Sequence, residues 1–155
     1  QSGFDKELAL KTINSVLLLR SRSESFTTMD MMLIDLYNAE LDYIKIASAP
    51  TFIKRGRQIS VLSSSSLPIG ILEQVEVNSE KRSLLPRDII LMVSDGVMEA
   101  SREQNGDEWI PRLLAQIGEN DPQIIAQMVI NRALSLAAGK PGDDMTAICL
   151  RLDMA

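Results

Sequence analysis

The chain has 155 residues, of which 45% are hydrophobic, and its 16 Lys and Arg against 21 Asp and Glu give a net charge of −5. This length suits one domain around one core, and the negative charge argues against a nucleic-acid partner, whose phosphates require a basic surface. The sequence contains no histidine, which excludes Ser-His-Asp hydrolysis and any zinc site that needs imidazole.

The cysteine content and the apolar stretches limit the cellular setting. Cys149 is the single cysteine, so no disulfide framework is expected and the chain suits a reducing compartment. The longest apolar stretches, such as residues 89–93, are much shorter than the roughly 20 residues that span a bilayer. We therefore expect this chain to make no membrane contact.

The first half of the sequence predicts a helix followed by strands. Asp5 can cap a helix whose apolar positions recur at helical spacing, namely Leu8, Ile13, Val16, Leu17 and Leu19. Residues 28–37 are apolar on both faces apart from Asp30 and Asp35, a pattern typical of a fully buried central strand. Residues 41–46, 51–54 and 59–62 then predict strands with short connections, which implies antiparallel hairpins.

The second half predicts more strands and two helices. An apolar loop at 67–71 is expected to fold back onto the core, and residues 74–78 and 88–94 suggest a strand pair linked through Pro86 and Arg87. A helix is predicted over 108–117, and a second helix begins with Asp121 as its cap and Pro122 at its first position, ending at Gly139. Residues 145–152 form a last strand. This order predicts an α+β domain in which antiparallel sheets pack against helices.

Two acidic motifs stand at strand ends. Asp95 follows the apolar run 89–93 and precedes Gly96, while Asp143 and Asp144 precede the final strand. If these two strands are neighbours, the carboxylates converge and their repulsion would be costly without a cation. Hard cations such as Mg²⁺ and Mn²⁺ prefer such oxygen ligands. Spacing alone leaves solvated acidic loops and an ordinary Asp-Gly turn as alternatives, and we assign Asp30 and Asp35 no ligand role.

The residues Ser94-Asp95-Gly96-Val97-Met98-Glu99, followed by Asp143-Asp144-Met145-Thr146, resemble the two downstream acidic motifs of the PP2C-like (PPM) metal-dependent phosphatases. The motifs Ala49-Pro50 and Leu67-Pro68-Ile69-Gly70 are similar to those of the bacterial branch that dephosphorylates anti-sigma factor antagonists. Residues 11–15 and 52–56 look closest to the sporulation phosphatases of that branch. The resemblance covers nearly the whole chain.

The resemblance implies an antiparallel β-sandwich flanked by helices and an enzyme that uses Mn²⁺ or Mg²⁺, two ions in the intact domain, to remove phosphate from a phosphoserine. Asp95 and Asp143 would be catalytic metal ligands, Gly96 would lend backbone contact, and Asp144 would be a neighbouring contributor. The expected partner is a phosphorylated anti-sigma factor antagonist in sporulation control. The parent protein is expected to be membrane-anchored, with this part in the cytoplasm.

One departure from the family pattern concerns an earlier aspartate-glycine motif that bridges both metals in these phosphatases. Nothing upstream of Phe4 supplies it, so residues 1–155 are expected to form a single, N-terminally truncated phosphatase domain that binds metal weakly and is inactive or weak alone. An uncovered sheet edge would favour a homodimer or a strand-swapped dimer. The alternative function is a phosphoprotein-binding or dimerisation module without catalysis on the same scaffold.

Overall fold

The polypeptide forms two antiparallel sheets and four helical segments in the residues that the computed structural model describes, which are 6–20, 26–63, 66–73, 79–101 and 108–153. The helices are α1 (Lys6–Arg20), α2 (Asp95–Met98), α3 (Trp109–Gln116) and α4 (Pro122–Leu136). The strands are β1 (Met29–Asp35), β2 (Glu40–Ile46), β3 (Thr51–Arg55), β4 (Gln58–Leu62), β5 (Ser79–Ser83), β6 (Ile89–Val93) and β7 (Ala147–Arg151). Antiparallel sheets with helices confirm the predicted α+β class.

The described residues fall into two compact units, one within 1–48 and 64–82 and the other within 49–63 and 83–155. The first unit contains the sheet ordered β1-β2-β5, and the second contains the sheet ordered β4-β3-β6-β7. Within the described ranges, no helix is long and apolar enough to cross a bilayer.

Helix α1 packs on the sheet of the first unit through one narrow stripe. Leu10 is fully buried there with Ile44, Ile46 and Ile69. Buried Asn14 accepts a hydrogen bond from the Gly70 amide at 2.8 Å and donates to the Leu72 carbonyl at 3.0 Å. The loop at 67–71 therefore does fold back onto the core, as predicted.

The apolar face predicted for α1 is partly wrong. Leu8, Val16 and Leu19 are exposed by 62%, 46% and 87%. These three positions lie on the side of the helix opposite to Leu10 and Asn14, because residues spaced by three or four share a face. The predicted cap, Asp5, lies outside the described residues.

The prediction of a fully buried central strand at 28–37 is wrong. Strand β1 is half-buried and has β2 as its neighbour, from Met29 opposite Ile46 to Asp35 opposite Glu40. One face carries Met29 and Met31 against the core, while the other carries Asp30 in an ion pair with buried Lys45. Apolar composition on both faces therefore does not correspond to burial on both faces.

Strand β5 is a charged strand beside β2, with all five residues exposed. Glu80 accepts a hydrogen bond from the Tyr43 hydroxyl at 2.7 Å, and Lys81 pairs with Glu40 at 2.6 Å. The predicted pairing of 74–78 with 88–94 is wrong because β6 already has β3 on one side and β7 on the other. Residues 74–78 lie outside the described part of the chain.

The second unit is built around the apolar strand β6. Leu91 on this strand is fully buried, and α3 and α4 contribute Ile110, Leu114, Ile125 and Val129 to the same core. The predicted hairpin of β3 and β4 across 55–57 is confirmed.

Helix α4 begins as predicted and ends earlier than predicted. The Asp121 carboxylate accepts from the Gln123 amide at 2.8 Å, and Pro122 occupies the first turn. The helix ends at Leu136, and Gly139 follows in the left-handed region with φ +72°. Helix α2 was not predicted, because four residues give no periodic signal.

The thiol of Cys149 on β7 is half-buried, and its burial, with a smaller effect from Asp121, raises its pKa to about 11. We expect a thiol reagent to label the folded chain at pH 8 roughly 100-fold more slowly than the unfolded chain, since only the thiolate reacts. The rate should rise about tenfold per pH unit until pH approaches the thiol pKa. Equal rates in buffer and in denaturant would contradict this expectation.

Candidate metal centre

The two acidic motifs meet because β6 and β7 are antiparallel neighbours, with Val93 opposite Ala147. The end of β6 therefore lies beside the beginning of β7. The Ser94 amide donates to the Thr146 carbonyl at 3.0 Å and extends the ladder beyond the two strands. Asp95 and the segment 143–144 are thus placed at one edge of the sheet, as the strand-end positions predict.

Ser94 joins the two motifs through its side chain. Its hydroxyl donates to the Asp144 carbonyl at 3.0 Å and accepts from the Thr146 amide at 3.0 Å. These bonds involve the backbone of Asp144 and Thr146 and the Ser94 hydroxyl. No role is predicted for Ser94 from sequence, although its position directly before the Asp-Gly pair is a signal that points to one.

Gly96 provides the closest approach between the motifs. A Cβ atom at this position would lie 2.4 Å from the Asp144 carbonyl oxygen and 3.1 Å from that of Asp143. The distance of 2.4 Å is far shorter than a van der Waals contact, so only glycine fits here without movement of the backbone. The resemblance implies that Gly96 lends backbone contact at the metal site, and in the structure the missing side chain at Gly96 lets the 143–144 segment approach closely.

The carboxylates at this edge are exposed and lack cationic partners. The Asp95 side chain accepts from the Gly96 amide at 3.0 Å, and the Asp143 side chain accepts from the Asp144 amide at 2.7 Å. Among the described residues, neither of these two side chains nor that of Asp144 forms an ion pair with Lys or Arg. Within the described part of the chain, their negative charge is therefore not balanced by any lysine or arginine.

The structure does not gather a complete set of protein ligands. Within the described ranges, no three Asp, Glu or Cys side chains converge closely enough to hold a metal ion. Asp30 is paired with Lys45. The Asp35 side chain accepts from the Tyr37 and Asn38 amides, which lowers the pKa of Asp35 and gives it a role in the β1–β2 turn.

Comparison with known proteins shows the family to which the chain belongs. The family model described as stage II sporulation protein E (SpoIIE) matches residues 1–153. The chain is 38% identical over 154 residues to stage II sporulation protein E of Bacillus subtilis strain 168, covering 99% of this chain and 19% of that protein. The chain thus spans about a fifth of the length of this curated relative.

Solved structures give the same result for the fold. A Bacillus subtilis structure of the PP2C phosphatase domain with a fragment of the regulatory domain of SpoIIE is 38% identical, with a TM-score of 0.90, covering 99% of this chain and 47% of that chain. A manganese-presoaked structure of the phosphatase domain of the same protein is 35% identical, with a TM-score of 0.77, covering 99% of this chain and 69% of that chain. The resemblance to PP2C-like phosphatases is confirmed, and the chain belongs to the stage II sporulation protein E family.

Proposed function

We propose that this chain is part of a metal-dependent protein serine phosphatase and carries its two downstream acidic motifs. The observation that carries the proposal is the close approach of Gly96 to the Asp144 carbonyl oxygen: a Cβ atom at Gly96 would lie 2.4 Å from that oxygen. The chain that makes this contact belongs to the SpoIIE family. This contact joins the motif of Asp95 to that of Asp143 at one sheet edge.

The residues present fit a hard divalent cation in the kind of atoms they offer. Carboxylate oxygens of Asp95 and Asp143 would be the main ligands, with Asp144 and the Gly96 backbone beside them, and the sequence has no histidine to attract softer metals. When bound, Mn²⁺ or Mg²⁺ would activate a water and neutralise phosphoryl oxygens. Further ligands would be needed to complete two such sites, since no three described carboxylates converge.

The residues of this chain would act by position and charge. Ser94 holds the 143–146 segment through the Asp144 carbonyl and the Thr146 amide, so that Asp143 stays at a fixed distance along the edge from Asp95. Because the carboxylates of Asp95 and Asp143 are exposed, a phosphoserine on another protein could reach this edge of the sheet. The manganese-presoaked phosphatase-domain structure of the relative supports this choice of ion.

The proposed substrate is phosphoserine on an anti-sigma factor antagonist in sporulation control, acted on at the cytoplasmic side of a membrane-anchored parent. Family membership supports this assignment. Dimerisation remains a prediction, and so does the description of this chain as a partial phosphatase domain. The rival function, a phosphoprotein-docking module without turnover, uses the same surface and differs only in catalysis.

Calorimetric titration of the chain with Mn²⁺ tests the proposal. We expect binding that Asp95→Asn and Asp143→Asn each weaken at least tenfold, because each removes a charged ligand. Asp35→Asn is the matched control, since Asp35 is an exposed aspartate with a local role in a turn, and it should bind like the wild type.

Hydrolysis of p-nitrophenyl phosphate with Mn²⁺ provides the second measurement. Activity that is lost in Asp95→Asn and retained in Asp35→Asn would support the phosphatase. Mn²⁺ binding with no hydrolysis in the chain or in a longer one would favour the docking module. Equal Mn²⁺ affinity in all variants would contradict the site assignment.

A further inference from the structure

A basic cleft lies at the end of the second sheet away from the acidic edge. Its volume is about 840 Å³, and its lining includes four cationic side chains, those of Lys54, Arg55, Arg57 and Arg87. Strand β6 separates the cleft from Asp95, since Ile89 lines the cleft and Val93 precedes the acidic motif. At roughly 3.3 Å per residue this strand is about 13 Å long, so the cleft is a separate site.

Lys54 brings a buried positive charge to this cleft. It is only 7% exposed, and its ammonium donates to the Gly56 carbonyl at 2.5 Å. Among the described residues it has no carboxylate partner. Burial, with a smaller effect from the Arg57 charge, lowers the pKa of Lys54. A buried ammonium without a counter-ion is costly, so an anion in the cleft would relieve an existing imbalance.

Asp88, the one acidic residue among the described residues of the lining, already has a cationic partner. The Asp88 side chain is only 1% exposed and forms a bidentate ion pair with Arg55, whose Nε and Nη2 atoms donate to the two carboxylate oxygens at 2.9 Å and 2.6 Å. It also accepts from the Leu85 amide at 2.8 Å. The charge of Asp88 is therefore balanced by Arg55 and cannot serve Lys54 or Arg57.

The two remaining arginines of the lining, Arg57 and Arg87, are exposed, and the chemistry of their guanidinium groups indicates the kind of anion. The described part of the chain gives the side chains of Arg57 and Arg87 no ion pair. Arg87 is near Asp153, whose pKa is lowered chiefly by Arg151 and to a lesser degree by Arg87, but Asp153 is held by Arg151 through two contacts of 2.9 and 2.8 Å. Guanidinium groups prefer flat, two-pronged contacts to phosphate and carboxylate oxygens.

We propose that this cleft binds the diphosphate or polyphosphate group of a small molecule. Lys54, Arg57 and Arg87 place about three uncompensated positive charges in one concave site of small-molecule size. Linked phosphates carry several negative charges within a few ångströms, whereas carboxylates along an extended peptide are spread over about 3.3 Å per residue. The carbonyl groups at the C-terminal end of α3, near Gly118, also attract the cationic side chains of the cleft. These carbonyl groups carry only partial negative charge, so they do not neutralise those side chains.

Titration with pyrophosphate, in low salt and with EDTA to exclude metal-mediated binding, tests the proposal. We expect one binding site per chain, weakened at least tenfold in Arg57→Gln and in Lys54→Met, and weakened by added salt. Gly118→Leu should also weaken binding, because Gly118 lines the cleft, a Cβ there meets no atom within 4 Å, and the larger residue takes up space without changing the charge. Arg57 lies in an exposed turn, so its variant tests the site even if Lys54→Met fails to fold.

Two controls separate this site from others. Arg112→Gln removes an exposed arginine of α3 outside the cleft, and Asp95→Asn alters the acidic edge; both should bind pyrophosphate like the wild type. Absence of pyrophosphate binding, equal affinity in all variants, or tighter binding of a hexaglutamate peptide than of pyrophosphate would overturn the proposal.

Discussion

Replacement of Gly96 with alanine is expected to destabilise the protein by about 3 kcal/mol, near the upper end for forcing a methyl group into a packed place. The added Cβ would lie 2.4 Å from the Asp144 carbonyl oxygen, and this neighbour is backbone that cannot rotate away. The segment 143–144 must therefore move away from Gly96 and the neighbouring Asp95. For a chain of this length the melting temperature should fall by roughly 6–12 °C, and Mn²⁺ affinity should fall with it.

Gly118→Ala is the matched control for this experiment. A Cβ at Gly118 meets no atom within 4 Å, and the residue does not have a left-handed backbone. Loss of glycine there should leave stability unchanged or raise it by up to about 1 kcal/mol, through a less flexible unfolded chain. Equal melting temperatures for Gly96→Ala and the wild type would show that the two motifs are not held in contact.

Replacement of Arg55 with alanine is expected to cost about 3–4 kcal/mol of unfolding free energy. The substitution leaves the Asp88 carboxylate, 1% exposed, with the Leu85 amide as its remaining partner. The Arg55 side chain is 46% exposed, but the Asp88 carboxylate that loses it is buried, and an uncompensated charge in the interior costs far more than the ion pair contributes. Urea unfolding should show a lower midpoint at an unchanged slope.

Two variants make the result specific to the ion pair. Arg57→Ala, on the other side of Gly56, removes an exposed arginine without an ion-pair partner among the described residues and should change stability by at most about 0.5 kcal/mol. Arg55→Lys should fall between the two, since lysine keeps the charge but cannot make the two-pronged contact. Equal stability of Arg55→Ala and Arg57→Ala would refute this account of Asp88.

Local signals predicted the fold where local chemistry decides it. The cap at Asp121 with Pro122, and the turn at Gly56 between β3 and β4, depend on neighbouring residues and were found from sequence. The half-burial of β1 and the neighbours of β6 depend on which strands share a sheet. Sequence spacing carries no information on that choice, which explains both errors.

The candidate site was predictable in its parts but not in its contacts. Asp95 and Asp143 at the ends of apolar strands indicated one edge, and antiparallel pairing of β6 with β7 brings them there. The bridge through Ser94 and the distance from Gly96 to the Asp144 carbonyl depend on the register of that pairing. The balanced charge of Asp88 and the unbalanced charge of Lys54 could be recognised only once burial was known.

The close packing at Gly96 also favours one register of β6 against β7 during folding. A shift of one residue would move the 143–144 segment by about 3.3 Å and turn alternate side chains to the opposite face. The Ser94 hydroxyl would then lose the Asp144 carbonyl and the Thr146 amide together. Misaligned chains would thus forfeit several contacts at once, so correct alignment and an assembled acidic edge are selected in the same step.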